Sequence, residues 1–221
     1  MTERFRTHAV GATFGVLAVM TAGCGSPSGP SPSGASSGFS AGGTIEIAPA
    51  GAIVGTSVTL ISRLASDPTG SPLTFAWDFG DGATATGEAT THLYATAGDF
   101  FPKVTVSSSE GSWATATVTI RVKSLTARWS GEVDTVPGGV FRGGEGRVSI
   151  TQDGLDLTGT YQDQGSLKGT ISPTGTVTFT VTRAGFAPFT FTGTAGPDVE
   201  TLVGGASGPD VGNERWSLRR N

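Results

Sequence analysis

This 221-residue chain holds one cysteine, two histidines, two tyrosines and two methionines. A lone cysteine excludes an internal disulfide. Of the histidines, His8 precedes the apolar run Ala9 to Ala22, so His92 is the only imidazole in the body of the chain. Zinc sites of the usual kind need three or four N or S ligands, which one His and one Cys do not supply. A Ser-His-Asp arrangement would have to use His92, and no nucleophile elbow between a strand and a helix accompanies it. Basic runs are absent too, apart from the terminal Arg219-Arg220, and the formal net charge is −4. The phosphate-neutralising patch of a nucleic-acid binder is therefore missing. Uninterrupted stretches of strong helix formers are also lacking. Thirty-five glycines with abundant Thr and Val point instead to an all-β protein with many tight turns.

What the chain does contain starts with Arg4 and Arg6 ahead of Ala9 to Ala22. That run is shorter than the roughly 20 residues needed to span a bilayer, and it reads as a cleavable export signal. Thr21-Ala22-Gly23-Cys24 closes it, and the tract Gly25 to Gly43 behind it holds almost nothing that could be buried. Taken as a flexible coil, this tether would reach about 25 Å. Thr21-Ala22-Gly23-Cys24 resembles a bacterial lipobox. The resemblance implies an acylated Cys24 and an extracytoplasmic protein lipid-anchored in the bacterial cell envelope, at the outer membrane in a diderm host. Ordinary signal cleavage and secretion is the alternative.

Leu73, Phe75, Trp77 and Phe79 alternate with Thr74, Ala76, Asp78 and Gly80, which sends four large apolar side chains to one sheet face. Asp81-Gly82 follows directly and suits a tight hairpin turn. Val58, Leu60 and Leu64 before it, and Val104 and Val106 after it, supply partner strands. Pro102 cannot donate to a ladder and marks its strand as a local edge. Asp78 and Asp81 beside the turn read as carboxylates bonded to local backbone. A calcium loop of the Asp-x-Asp-x-Asp-Gly kind is not present.

The hexapeptide Trp77-Asp78-Phe79-Gly80-Asp81-Gly82, followed by His92-Leu93-Tyr94, Ala97-Gly98-Asp99-Phe100 and Thr117 to Val122, resembles the signature of the polycystic-kidney-disease (PKD) domain. The resemblance covers about residues 44–123 and implies an immunoglobulin-like β-sandwich. It gives Trp77, Asp78, Gly80, Asp81, Gly82, His92, Tyr94 and Gly98 structural roles. It also implies contact with extracellular protein or carbohydrate, or a spacer role.

Over residues 125–221, turn signals recur at Pro137-Gly138-Gly139, Gln152-Asp153-Gly154, Gln164-Gly165, Pro173-Thr174-Gly175, Ala184-Gly185, Gly196-Pro197-Asp198 and Gly208-Pro209-Asp210. They delimit about eight strands, which suit a small sandwich or a closed up-and-down barrel. Segments such as Leu157-Thr158-Gly159-Thr160-Tyr161 loosely resemble the hairpins of lipocalin-like and avidin-like barrels. Closure would make the strands of Trp129 and Trp216 neighbours, with Arg219 stacked on a Trp to seal one end. The functional expectation is a non-enzymatic envelope protein without cofactor or metal. It would bind an envelope protein or polysaccharide, or a small ligand inside the barrel. Two alternatives are a structural protein whose lumen is filled by Leu157, Tyr161, Val177, Phe179, Phe189, Phe191 and Trp216, and an accessory protein of a secreted hydrolase.

Overall fold

A computed structural model describes residues 44–49, 51–63, 70–109, 113–134, 144–196, 198–209 and 214–221. Cys24, the tether, Leu64 and the Pro137-Gly138-Gly139 turn lie outside them. The described residues form strands and turns without helix. The first ten strands are β1 (Ile45–Ala48), β2 (Ala52–Ile53), β3 (Ser57–Ser62), β4 (Leu73–Asp78), β5 (Thr84–Thr86), β6 (Ala89–Leu93), β7 (Gly98–Phe100), β8 (Lys103–Ser108), β9 (Trp113–Thr117) and β10 (Ile120–Lys123). One layer of the sandwich is the four-stranded sheet β5-β4-β8-β9; the other is made of β1-β3-β6 and β2-β10-β7. Alternation along β3, β4 and β8 turns Val58, Leu60, Trp77, Val104 and Val106 into the space between the layers, where they are buried with Ile45, Phe79, Ile120 and Val122.

Pro102 does not make an edge. It precedes β8, which pairs with β4 on one side and β9 on the other. Its carbonyl, the group a proline keeps, accepts the Val118 N–H at 3.1 Å. The turn after β4 also differs in detail from an Asp-Gly pair. It spans Phe79 to Ala83, closed by Phe79 N–H to Ala83 O at 3.0 Å, and the positive φ values fall on Gly80 and Gly82.

The second half contains β11 (Ala127–Asp134), β12 (Gly144–Asp153), β13 (Asp156–Tyr161), β14 (Gly165–Ile171), β15 (Thr176–Thr182), β16 (Phe189–Ala195), β17 (Thr201–Ser207) and β18 (Glu214–Arg220). Each pairs antiparallel with the next, and β18 returns to β11, so the sheet is a closed barrel rather than a sandwich. Gly165 opens β14 instead of turning. The β13–β14 turn uses Gln162 and Asp163, at φ 48° and 57°, with Gln164 N–H bonded to Tyr161 O at 3.1 Å. Gln162 and Asp163 thus carry two consecutive positive φ values without glycine, inside a three-residue loop between the paired Tyr161 and Gly165.

Inward residues fill the lumen. Eight strands enclose a space that side chains can just occupy, and Val177, Phe179, Phe191, Leu202 and Leu218 are 0 % exposed. A void able to admit water would leave accessible surface on those walls. Phe179 stacks on Phe191 at 4.7 Å, and Phe191, Tyr161 and Phe189 each lie 5.6–5.7 Å from Trp216. These are ordinary aromatic packing distances.

Sandwich and barrel meet through specific bonds. Ile53 and Leu125 are buried in the barrel's own hydrophobic cluster. The Gln152 side-chain amide donates to Val54 O and Gly154 O, both at 2.9 Å, while its carbonyl accepts the Leu125 N–H at 2.8 Å. Ser57 N–H reaches Pro173 O at 2.8 Å. Lys123 ties β10 to the β16–β17 turn through Asp198 O at 2.7 Å and through the Glu200 carboxylate.

Candidate functional site

The residues of the hexapeptide form one bonded unit. Trp77 is 2 % exposed and its indole N–H donates to Gly87 O at 2.9 Å. Asp78 Oδ1 accepts Gly80 N–H at 3.0 Å, and Asp81 Oδ1 accepts Ala83 N–H at 3.1 Å. Asp81 Oδ2 lies 2.7 Å from His92 Nε2. The His92 ring stacks on Phe79 at 4.1 Å and meets the Tyr94 ring edge-on at 4.7 Å. Tyr94 donates its hydroxyl to Phe79 O at 3.2 Å and stacks on Phe100 at 4.2 Å. Gly80 passes close to Phe101, whose backbone N would lie 3.3 Å from a Cβ there, and Gly98 sits at φ 156° at the head of β7.

Burial raises the Asp81 carboxyl, but the His92 and Ala83 hydrogen bonds and the His92 charge together hold it below its ordinary value. Burial pushes the Tyr94 phenol up, and the Asp81 charge adds to this. Among the described residues Asp81 is the only hydrogen-bond partner of the His92 ring. The arrangement buttresses a turn.

At the barrel end facing the sandwich, Trp129 donates its indole N–H to Leu125 O at 3.1 Å. The guanidinium stacked over it, 5.1 Å from the ring centre, belongs to Arg220 and not Arg219. In the β11–β18 register Trp129 faces Arg220, so Arg220 follows Glu214, Trp216 and Leu218 on the inward side. A one-residue shift in a strand reverses the face, which sends Arg219 outward. Arg220 also donates to Val199 O at 3.2 Å and to Ser124 O. Trp216 pairs with Val133 in the same ladder, so the two tryptophans occupy separate levels of the lumen.

Glu214 enters the lumen at the opposite end. It is 2 % exposed, and among the described residues neither carboxylate oxygen nor the Trp216 indole N–H finds a hydrogen bond of ordinary geometry. Burial raises the carboxyl above its usual 4.5, and the nearby Trp216 N–H only partly opposes this. Burial likewise raises Tyr161, with Glu214 adding to the shift and Arg183 opposing it. The folded state thus favours the neutral acid. Its contribution is complete below about pH 4.5 and is lost as pH rises through the elevated value. Glu214→Gln, which mimics the neutral acid, should match the parent's thermal midpoint near pH 4 and exceed it at pH 7 to 8. A constant difference across that range in a melting series would contradict this reading.

Described residues line two surface depressions, among others. One, of about 480 Å³, separates sandwich from barrel and is lined by Gly98, Asp99, Arg121, Lys123, Glu200 and Arg220. Its charges are occupied: Arg121 bonds Asp99 at 2.8 Å and 3.1 Å, and Lys123 pairs with Glu200. The other, of about 300 Å³, runs over β11, β12 and β13 and is lined by Arg128, Arg147, Ser149, Thr160, Asp163 and Asn221, with Trp129 and Val148 beneath. Among the described residues, no three His, Cys, Asp or Glu side chains gather as metal ligands.

The architecture defines the class: an immunoglobulin-like sandwich bonded end-on to a closed eight-stranded barrel. Residues 44–122 match the family model described as "PKD domain", and this part of the chain is a PKD domain. A microbial collagenase of Vibrio alginolyticus is 40% identical over 84 residues, which cover 38% of this chain and 10% of the relative. The chain thus spans about a tenth of that protein. A solved structure from work on the promiscuous specificity of carbohydrate-binding modules of the β-sandwich superfamily aligns with 80% of this chain and 83% of its own. At 16% identity and a TM-score of 0.35, that likeness supports no inference about fold or ligand.

Sequence reasoning did not single out Glu214, Gln152 or the Arg128–Arg147 groove. The alternation that buries Trp216 and Leu218 also carries Glu214 inward, so that signal was present. No sequence pattern marks Gln152 as the bridge between domains.

Proposed function

We propose that this chain is a non-catalytic extracytoplasmic binding and spacer protein of the bacterial envelope. The PKD sandwich and barrel would act as one stiff unit, held off the membrane by a lipid on Cys24 and the tether behind it. The observation that carries this reading is the bonded junction, in which Gln152 reaches Val54, Gly154 and Leu125 at 2.8–2.9 Å while the lumen beyond is filled by its own side chains. A stiff pair of domains suits spacing and surface contact. A filled lumen favours ligands on the outside over ligands inside.

Anchoring is tested by Cys24→Ala, which should move the protein from the membrane to the soluble fraction. Identical partitioning of the two proteins, with an unmodified N-terminal peptide mass in the parent, would sink the anchor. The identity shared with a microbial collagenase favours a second reading, in which the PKD domain contacts an extracellular substrate on behalf of a hydrolase. Retention on insoluble collagen, lost when residues 44–123 are deleted, would support that reading.

A further inference from the structure

We propose that the outer wall of the barrel around Ser130 is a binding site for an extended polysaccharide bearing carboxylate or sulfate groups. The inference rests on the binding role proposed above and gives it a place and a ligand class. Strand alternation sets the site. Trp129 turns inward, so its neighbours Arg128 and Ser130 turn outward on β11. Register then places Ser130 opposite Arg147 of β12 on one side and Arg219 of β18 on the other, while Arg128 lies opposite Ser149, which lies opposite Thr160 of β13. Three guanidinium groups thus surround one serine on a single wall, with the Glu132–Glu145 pair two residues further along the same ladder.

Among the described residues, Arg128, Arg147 and Arg219 make no ion pair, whereas Arg121, Arg63 and Lys123 each do. Arg128 and Arg147 line the depression of about 300 Å³, a volume at the lower end of ligand sites. Guanidinium offers a planar fork of donors that matches carboxylate and sulfate oxygens. Ser149 and Thr160 add hydroxyls between the arginines, and Asp163 adds an acceptor at the rim. The wall is held from below, since Ser130 Oγ donates to Asn221 Oδ1 at 2.8 Å and Asn221 N–H to Arg128 O at 2.9 Å.

The form of the ligand follows from what the groove offers. Its apolar lining, Trp129 and Val148, is only 1–2 % exposed, so there is no stacking platform for a neutral sugar and no pocket for an apolar side chain. A membrane surface is disfavoured because, of the exposed large apolar residues Leu93, Phe101, Leu155, Phe186 and Val203, the barrel ladder brings just Val203 to this wall, opposite Ser217. Donors recur from strand to strand at about 4.8 Å, a row that an extended polar chain can follow.

The test uses the full chain with Cys24→Ala in every arm, so that no lipid contributes. Polygalacturonate and dextran sulfate serve as carboxylate and sulfate probes, with neutral dextran and phosphatidylglycerol vesicles beside them. Expected is binding to at least one acidic polysaccharide and none to dextran, weakened as salt rises. Arg128→Gln with Arg147→Gln should reduce affinity about tenfold or more with an unchanged thermal midpoint. Arg215→Gln, outside the groove, should leave binding intact. The polysaccharide that binds identifies the anionic group. Equal binding by parent and double variant, binding to vesicles alone, or no binding to either acidic probe would overturn the site. Retention on collagen in that last case would leave the broader binding role standing, which separates the two failures.

Discussion

Trp77→Ala should unfold the PKD sandwich while the barrel stays folded. Trp77 is 2 % exposed and packs between the two layers, paired in register with Ala85 on one side and Val104 on the other. Truncating a buried aromatic residue costs about 3–5 kcal/mol, against a total domain stability of about 5–15 kcal/mol. The substitution also leaves Gly87 O without its indole donor. The sandwich and barrel have separate hydrophobic clusters, so the loss is expected to stop at the junction. Hydrogen exchange should show residues 44–123 unprotected and the barrel strands still protected, with the thermal midpoint of the sandwich far below that of the parent. A midpoint within a few degrees of the parent would place Trp77 on the surface.

The second large effect is expected at the seam of the barrel. A methyl group on Gly131 of β11 would overlap the Ser217 carbonyl and the Leu218 backbone of β18. No rotamer change relieves a collision with backbone, so Gly131→Ala must push the two strands apart where the sheet closes. Overpacking costs about 1–3 kcal/mol, and this case should reach the upper end. Gly205→Ala is the matched control, because its Cβ would meet only Glu214 O, at 3.5 Å. Unfolding followed by barrel amide protection should separate the two, with Gly131→Ala melting well before Gly205→Ala. Equal midpoints would show that the seam tolerates the added methyl.

The two halves differed in how much could be read in advance. The hexapeptide spanning Trp77 to Gly82 specifies a strand, its turn and its buried tryptophan within a few residues, all local information. Closure of the second sheet is a long-range property. The even turn spacing gave the strand number, yet sandwich and barrel share that pattern, and only the pairing of Trp129 with Arg220 decides between them. The Arg219 assignment failed by one position, because alternation is certain only once a strand's register is known. The Arg128–Arg147 groove was invisible for a related reason, since its residues come from different strands and become neighbours only across the ladder. Gln152 looked like one more turn residue, and its bridging role depends on the position of Val54 in another domain.

The central claim is that sandwich and barrel form one stiff unit. Backbone ¹⁵N relaxation on the full chain tests it most directly. The bonded junction predicts a single overall tumbling time shared by residues 44–123 and 125–221; two distinct, shorter times, one for each half, would contradict it.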